Sequence, residues 1–215
     1  MRLFAALPLP DEVQDHLDLT VGAMVPDGAD VDARRGPQPV RWVPRHRRHV
    51  TLAFYGEVAD GALPELAAAL RDVAHRATPL TLQLRGAGVF SRRTLWVGVR
   101  QVADEEADLT ALMAACEDAG AAVSRVERRD RHRAHVTLAR LGSRRPDASA
   151  MYARAQALAV YGGPVWTATH LHLVSSQLGA GKAGGPRYEV EERLALGEGD
   201  DDVAGPAAGT ARPGD

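Results

Sequence analysis

Apolar and polar residues follow two different periods along this chain. Alternation with a period of two, which is typical of strands buried on one side, occurs at 3–7, 40–43, 49–55, 80–84, 94–99, 135–141, 166–175 and 188–196. Helical spacing of apolar residues occurs at 10–24, 62–77, 104–119 and 147–160. Helices therefore interrupt runs of strands that suit antiparallel pairing, and the pattern predicts an α+β fold.

Turn-forming residues separate these segments. Residues 26–39 are rich in Pro, Gly and Asp and predict a surface loop, and the glycines at 86–88 predict a break between two strands. Gly56 is predicted to end the strand before it. The two halves of the chain have similar element patterns, and no boundary between them has the composition of a linker, so we expect one domain over residues 1–197. Residues 198–215 are acidic and contain few large apolar side chains, which predicts a disordered tail.

The composition is that of a globular protein with a real core, because 45% of the 215 residues are hydrophobic. Cys116 is the single cysteine, which excludes an intramolecular disulfide and a zinc-thiolate cluster and favours a reducing, cytoplasmic setting. The opening MRLFAALPLP is short and breaks at Asp11, so it predicts a first strand rather than a signal peptide. No other segment approaches the length of a membrane span, and we expect no membrane partner.

Charge is distributed unevenly. The formal net charge is −2, and the acidic tail contributes −4, so residues 1–197 carry about +2. Lys182 is the only lysine, so a general preference for arginine explains part of the clustering of basic residues. The clusters still indicate a polyanionic ligand. Their members are Arg41, Arg45, Arg47, Arg48, Arg125, Arg128, Arg129, Arg131, Arg133, Arg140, Arg144 and Arg145.

The pentapeptide HVTLA occurs twice, beginning at His49 and at His135. In an extended chain each copy directs His and Thr to one face, and Val and Leu to the other. Two such strands facing each other would place two proton-transfer groups and two hydroxyls around one small anion, which suits phosphate-ester chemistry. A single His-x-Thr pair would more simply be the polar face of a strand, and an internal structural duplication would also explain the repeat.

Metal binding is the competing interpretation of the histidines. A catalytic zinc site takes three protein ligands, and neither HVTLA copy has an acidic residue or a cysteine on the same face. We therefore predict no metal and no cofactor. The other histidines are expected on opposite faces, on helices or in a half-exposed pair; they are His46, His132, His16, His75, His170 and His172.

Arg140 follows the second copy as HVTLAR. Strict alternation directs its side chain away from His135, so Arg140 would reach the same face only if the strand ended or bulged there. The nearby Gly142 makes such an irregularity plausible.

The chain resembles the 2H phosphoesterase superfamily, in the branch of RNA 2′,3′-cyclic phosphodiesterases long labelled 2′-5′ RNA ligases. The resemblance covers about residues 1–196 and runs in order through RLFAALPLP, VRWVP, HVTLAFYGEV, LWVGV, HVTLAR, LHLVSSQLG and GGPRYEV. It implies two interleaved lobes with antiparallel sheets, related by a pseudo-twofold axis around a central cleft. It also implies hydrolysis of a terminal 2′,3′-cyclic phosphate of RNA to a 2′-phosphomonoester without a metal.

The resemblance assigns roles to five residues. His49 corresponds to the proton donor and His135 to the proton acceptor, while Thr51, Thr137 and Arg140 correspond to phosphate ligands. The chain departs from the family pattern at two further positions. His132 stands where an aromatic residue is common, and Arg48 stands where an apolar residue is usual.

Other functions remain open from the sequence. A non-catalytic module that binds RNA ends would use the same basic cleft, and the same chemistry could act on small cyclic nucleotides or tRNA-derived fragments. The reaction could also run in reverse as a weak 2′-5′ RNA ligase. We expect RNA with a 2′,3′-cyclic phosphate end as the partner and a monomer as the oligomeric state.

Overall fold

The structure is a computed structural model that describes residues 1–24, 40–102, 108–124, 132–142, 148–181 and 185–197. Within these ranges the helices are α1 Asp11–Gly22, α2 Leu63–Arg76, α3 Leu109–Gly120 and α4 Ser149–Ala157. The strands are β1 Arg2–Pro8, β2 Val40–Trp42, β3 His49–Glu57, β4 Leu80–Phe90, β5 Thr94–Gln101, β6 His135–Leu141, β7 Gly162–Ala168, β8 His170–Gln177 and β9 Arg187–Ala195.

The described strands form one antiparallel sheet in the order β7-β4-β5-β6-β3-β1-β8-β9, with β2 paired to β6. The order is symmetric about the contact between β3 and β6, where Val50 pairs with Val136. Lobe 1 consists of β3, β1, β8 and β9, and lobe 2 consists of β6, β5, β4 and β7. Because β8 and β9 return to lobe 1 after lobe 2 is complete, the lobes are interleaved, and the predicted α+β fold is confirmed.

The helices divide between the lobes in the same symmetric way. Helices α2 and α3 pack with lobe 1, while α1 and α4 pack with lobe 2. The strand residues that face them, such as Leu52 and Leu138, are almost fully buried in a common core. The Tyr55 hydroxyl donates a 3.0 Å hydrogen bond to the carbonyl of Cys116 on α3. This packing leaves the other face of β3 and β6 available for a site.

The helix starting at Leu109 is shorter than the predicted segment 104–119. The Asp108 side chain accepts hydrogen bonds from the backbone N–H groups of Thr110, at 2.7 Å, and Ala111, at 3.2 Å. These bonds satisfy donors that have no partner within the helix, so they fix its first residue. Positions 104–107 lie outside the described residues, as do the predicted loop 26–39 and the tail 198–215.

The predicted break at 86–88 is wrong, because β4 continues through these glycines. The pairing of β4 with β5 shifts between Leu84 and Ala87, next to Gly86, which has a φ of 62°. A Cβ atom on Gly88 would lie 2.3 Å from the ring of Trp96. The glycines thus form a bulge and leave space for an indole ring. Gly56 likewise lies within β3, which runs to Glu57.

The single strand predicted at 166–175 is two strands in two lobes. Trp166 pairs with Leu82 of β4, whereas His172 pairs with Ala6 of β1. Thr169 separates β7 from β8. Alternation continues across this junction because both strands are buried on one side, so the pattern contained no sign that the pairing partner changes.

Candidate active site

Strands β3 and β6 bring the two HVTLA copies side by side. Val50 pairs with Val136, and both are fully buried, while the flanking His and Thr side chains are half-buried on the other face. Because the strands are antiparallel, His49 lies across from Thr137, and Thr51 lies across from His135. All four predicted polar side chains of the repeat therefore meet on one open surface, which we call the cleft face.

Arg140 also reaches the cleft face, through a bulge in β6. The pairing of β5 with β6 skips Leu138, so Leu138 and Ala139 are both buried and the alternation is reversed after them. The charge of Arg140 contributes to lowering the pKa of His49, which indicates that the two side chains are close. β6 therefore contains the bulge that Arg140 needs in order to reach the cleft face.

β3 has the same irregularity, and the repeat extends further than the pentapeptide. The pairing of β1 with β3 skips Leu52, and the bulge turns Phe54 outward, with 40% of its surface exposed. Residues 49–56 read HVTLAFYG, and residues 135–142 read HVTLARLG. Phe54 and Arg140 occupy equivalent positions, so this pair distinguishes the two halves of the cleft. The sequence analysis did not identify this extension.

A backbone carbonyl two residues upstream orients each motif histidine. His135 Nδ1 lies 2.8 Å from the carbonyl oxygen of Arg133. His49 hydrogen-bonds the backbone of Arg47 in the equivalent way. A ring nitrogen that donates to a carbonyl fixes the tautomer and leaves the other nitrogen to exchange protons.

Aromatic rings enclose both histidines, and the sequence analysis did not place them there. His49 stacks on Phe4 with a centroid distance of 4.8 Å and meets Tyr188 edge-on at 5.6 Å. His135 meets the edges of Phe90 at 4.9 Å and of Trp96 at 6.2 Å. These rings come from four other strands. Each imidazole thus has an apolar wall that limits its access to water.

The environment of His49 disfavours its protonated form. Burial, followed by the charges of His135 and Arg140, lowers the pKa of His49 to about 4, although the hydrogen bond to Arg47 acts in the opposite direction. His49 is therefore neutral at pH 7 in the absence of an anion.

The cleft beside His49 is strongly basic. Burial raises the pKa of the Tyr188 hydroxyl, while the charges of Arg140, Arg47 and Arg2 lower it. The Arg47 guanidinium also donates a hydrogen bond to the carbonyl of Pro186 at 3.4 Å, next to Tyr188. Guanidinium groups from three separate strands or turns thus contribute positive potential around Tyr188, which lies beside His49.

Two members of the predicted arginine cluster have a structural role instead. Arg45 bonds to the acidic residues of α1, and Arg48 Nη1 lies 2.5 Å from Asp18 Oδ1 on the same helix. Arg48 Nε also donates to the carbonyl of Val43 at 3.2 Å. The polyanion interpretation is wrong for these two residues, because carboxylates already neutralise them. Arg125, Arg128, Arg129, Arg131, Arg144 and Arg145 lie outside the described residues.

His132 does not replace the expected aromatic residue. Its Nε2 lies 3.1 Å from Glu117 Oε2, and the two side chains are only 13% and 5% exposed. Trp96 provides the aromatic surface beside His135 instead, with the Arg133 guanidinium 5.6 Å from its ring centroid.

Within the described ranges, no group of three or more His, Cys, Asp and Glu side chains is arranged to hold a metal ion. None of the helices described is long and apolar enough to cross a membrane.

Comparisons with known proteins all lead to one family. A family profile described as the 2′-5′ RNA ligase superfamily matches residues 15–180. A Thermus thermophilus protein named RNA 2′,3′-cyclic phosphodiesterase is 31% identical over 205 residues, which cover 91% of this chain and 90% of that protein. A Geobacillus stearothermophilus protein of the same name is 33% identical over 104 residues, but the match spans only 30% of its length.

Solved structures give the same result. The apo form of E. coli LigT matches with a TM-score of 0.67 and 25% identity, covering 92% of this chain and 98% of that one. LigT complexed with phosphate matches with a TM-score of 0.63 and 25% identity, covering 92% and 98% of the two chains.

Proposed function

The chain belongs to the 2′-5′ RNA ligase superfamily, and on that premise we propose that it hydrolyses 2′,3′-cyclic phosphate ends of RNA to 2′-phosphomonoesters. The observation that carries the proposal is the antiparallel meeting of the two His-x-Thr pairs across Val50 and Val136. An in-line displacement at phosphorus needs a base on the side of attack and an acid on the side of the leaving group. Two equivalent strands from two lobes provide these groups.

In the proposed reaction, His135 accepts a proton from water as the water oxygen bonds to phosphorus. The bond between phosphorus and the 3′ oxygen breaks, and His49 donates its proton to that oxygen. The phosphate remains on the 2′ oxygen. Thr51, Thr137 and Arg140 hold the non-bridging oxygens, where hydrogen bonds and positive charge stabilise the transition state.

His49 has to take up its proton when the substrate binds. Its pKa of about 4 leaves it neutral in the free protein, but a phosphate anion beside it would favour the imidazolium ion. Arg140 draws the anion to this side of the cleft, whereas Phe54 occupies the equivalent position in the other half. This difference supports unequal roles for two histidines in identical pentapeptides.

We further propose that the reaction needs no metal. Among the described residues, the two imidazoles of the cleft have no third His, Cys, Asp or Glu side chain placed to complete a metal site, and the nearby guanidinium repels a divalent cation. A five-membered cyclic diester is also strained, so it needs less electrophilic assistance than an ordinary diester.

Product analysis tests the proposal. An RNA with a radiolabelled 2′,3′-cyclic phosphate end, incubated with the protein in excess chelator, should give only the 2′-phosphomonoester. A 3′-phosphomonoester, or complete loss of activity on chelation that zinc or magnesium restores, would contradict the assignment.

Two alternatives have distinct outcomes. A non-catalytic module for RNA ends would bind the cyclic end in a salt-dependent way, show no turnover, and keep its affinity after both histidines are replaced. A 2′-5′ RNA ligase would join the cyclic end to a 5′-hydroxyl RNA at the same residues, so ligation would compete with hydrolysis in the same assay.

A further inference from the structure

One row of paired residues leads across lobe 1 away from the phosphate site. Thr51 pairs with Ala6, Ala6 with His172, and His172 with Arg193. Directly paired residues of antiparallel strands lie on the same face of a sheet. His172 and Arg193 therefore share the cleft face with the two His-x-Thr pairs. At about 4.8 Å per strand, His172 lies roughly 10 Å from Thr51, and Arg193 roughly 14 Å.

The middle of this row carries no charge, because Ala6 belongs to a buried apolar cluster with Phe4 and Val174, against which Tyr188 packs. Ala6 has the smallest side chain on the row, and Pro8, which pairs with His49, lies beside it on β1. Pro8 also lines a cavity of about 310 Å³ at the far end, together with His170, His172 and Arg193. Of Phe4, Ala6 and Pro8, the β1 residues between His49 and this cavity, only Phe4 is large, and it stacks on His49.

The cavity is basic without a balancing acid. Among the described residues, neither His172 nor Arg193 forms an ion pair with a carboxylate, and His170 contacts the Thr169 hydroxyl at 2.9 Å. Burial, then the charges of Arg193 and His170, lower the pKa of His172. An anion in this cavity would offset the repulsion that a protonated His172 meets from Arg193, so the cluster suits a negatively charged ligand.

Lobe 2 differs along its equivalent row. There the row from Thr137 meets Trp96 in the position that Ala6 has in lobe 1. The indole ring covers Gly88, where even a Cβ atom would clash with it, and it stacks on Phe90 at 4.9 Å. The two lobes therefore present different surfaces beside the phosphate site: in lobe 1 an apolar cluster with Tyr188 leads to the basic cavity, and in lobe 2 the stacked Trp96 and Phe90 rings lie beside the site.

We propose that His172 and Arg193, assisted by His170, bind the phosphodiester group on the 5′ side of the terminal nucleotide of the RNA. This inference rests on the proposed function, since it requires the cyclic phosphate to lie between His49 and His135. The subsite makes an oligonucleotide with a cyclic end a better substrate than a cyclic mononucleotide, which lacks the second phosphate.

The test compares a cyclic mononucleotide with a dinucleotide that has the same cyclic-ended base and adds the phosphodiester together with the nucleoside on its 5′ side. We expect kcat/KM of the wild-type protein to favour the dinucleotide by about tenfold or more, as for a charge-assisted contact. The double variant His172→Gln with Arg193→Gln should lose most of this ratio. The matched control is His75→Gln with Arg76→Gln, a histidine and an arginine exposed at the end of α2, and it should keep the ratio.

A binding experiment separates this inference from the proposed function. The affinities for the mononucleotide and dinucleotide 2′-phosphates are measured at low and high salt, without any turnover. Tighter binding of the dinucleotide, lost in the His172→Gln, Arg193→Gln variant, supports the subsite even if the protein hydrolyses neither cyclic substrate. Equal affinities for the two ligands, or an unchanged preference in that variant, would overturn the subsite while leaving hydrolysis of the cyclic end intact.

Discussion

The two motif histidines are identical in local sequence but not in their neighbours. His49 stacks on Phe4 and lies near Arg140, whereas His135 meets the edges of Phe90 and Trp96. Proton affinity depends on burial and nearby charge rather than on the pentapeptide. Side chains from other strands therefore determine which histidine holds a proton at a given step.

This difference can be measured directly by NMR. In the free protein, the His49 imidazole should titrate with a pKa near 4, well below the ordinary value of 6.5. Saturation with inorganic phosphate should raise this pKa, because the anion stabilises the imidazolium ion. The His49→Gln variant identifies the resonance. A free pKa near 6.5, or no upward change with phosphate, would contradict the proposed role of His49.

His49 should also make stability depend on pH. Because folding lowers its pKa from 6.5 to about 4, the unfolded state binds the proton more readily, and the free energy of unfolding falls as pH decreases through this range. The change from this one group is up to about 3 kcal/mol. Urea denaturation at pH 7 and pH 4.5 should therefore show a smaller decrease for His49→Gln than for the wild-type protein. Equal decreases would show that His49 does not contribute.

Among the elements, the bulge that follows the His-x-Thr pair in each motif strand shapes the cleft. Without the extra residue at Leu138, Arg140 would face the core like Val136. The equivalent bulge at Leu52 presents Phe54. The two bulges thus present different side chains, Arg140 and Phe54, after identical pentapeptides, and the two halves of the site differ for this reason.

Arg140→Gln should lower kcat/KM on cyclic-ended RNA by about tenfold to a hundredfold, because a charged contact to the phosphate is lost. It should also raise the pKa of His49, since the charge of Arg140 contributes to lowering it. Arg76→Gln, on the helical side of lobe 1, is the control and should change neither quantity. A wild-type kcat/KM for the Arg140→Gln variant would show that Arg140 does not contact the phosphate.

The attachment of α1 can be tested with two neighbouring arginines. The Arg48 side chain is 5% exposed and pairs with Asp18, whereas the Arg45 side chain is 35% exposed and pairs with carboxylates that are mostly in solvent. Arg48→Gln leaves a buried polar network incomplete and should lower the free energy of unfolding by about 3 kcal/mol. Arg45→Gln should cost less than about 1 kcal/mol. Denaturant titration measures both, and a larger loss for Arg45→Gln would contradict this description.

For the whole molecule, interleaving places both ends of the described chain in the same lobe. β1 opens lobe 1 and β9 closes it, while lobe 2 lies between them in sequence. Within the described ranges, the strands of the two lobes meet in backbone pairing only at Val50 and Val136. The two His-x-Thr pairs therefore lie on the pseudo-twofold axis, where each lobe contributes one histidine and one threonine.

The sequence predicted the parts of this arrangement that local patterns contain. Alternation located most strands, and the repeat identified His49 and His135 with their threonines. Alternation reports which side of a strand is buried but not its partner, so the junction at Thr169 was missed. Charge clustering could not show that Arg45 and Arg48 pair with α1. The rings around the histidines come from remote strands, and only the fold brings Tyr188 to His49.

Some expectations from the sequence remain predictions about the whole protein. These are the monomeric state, the cytoplasmic location and the disorder of residues 198–215. Light scattering coupled to size exclusion tests the first, and a mass of twice 23.0 kDa would contradict it.

In the proposed mechanism, His49 and His135 act as acid and base in one reaction at one phosphate. The most direct test is single-turnover hydrolysis of an RNA with a 2′,3′-cyclic phosphate end by the wild-type protein, His49→Gln, His135→Gln and the double variant. Each single variant should lose about 10² to 10⁴ in rate, and the double variant should lose much less than the product of the two effects, because both groups serve the same step. Wild-type rates in either single variant would contradict this mechanism.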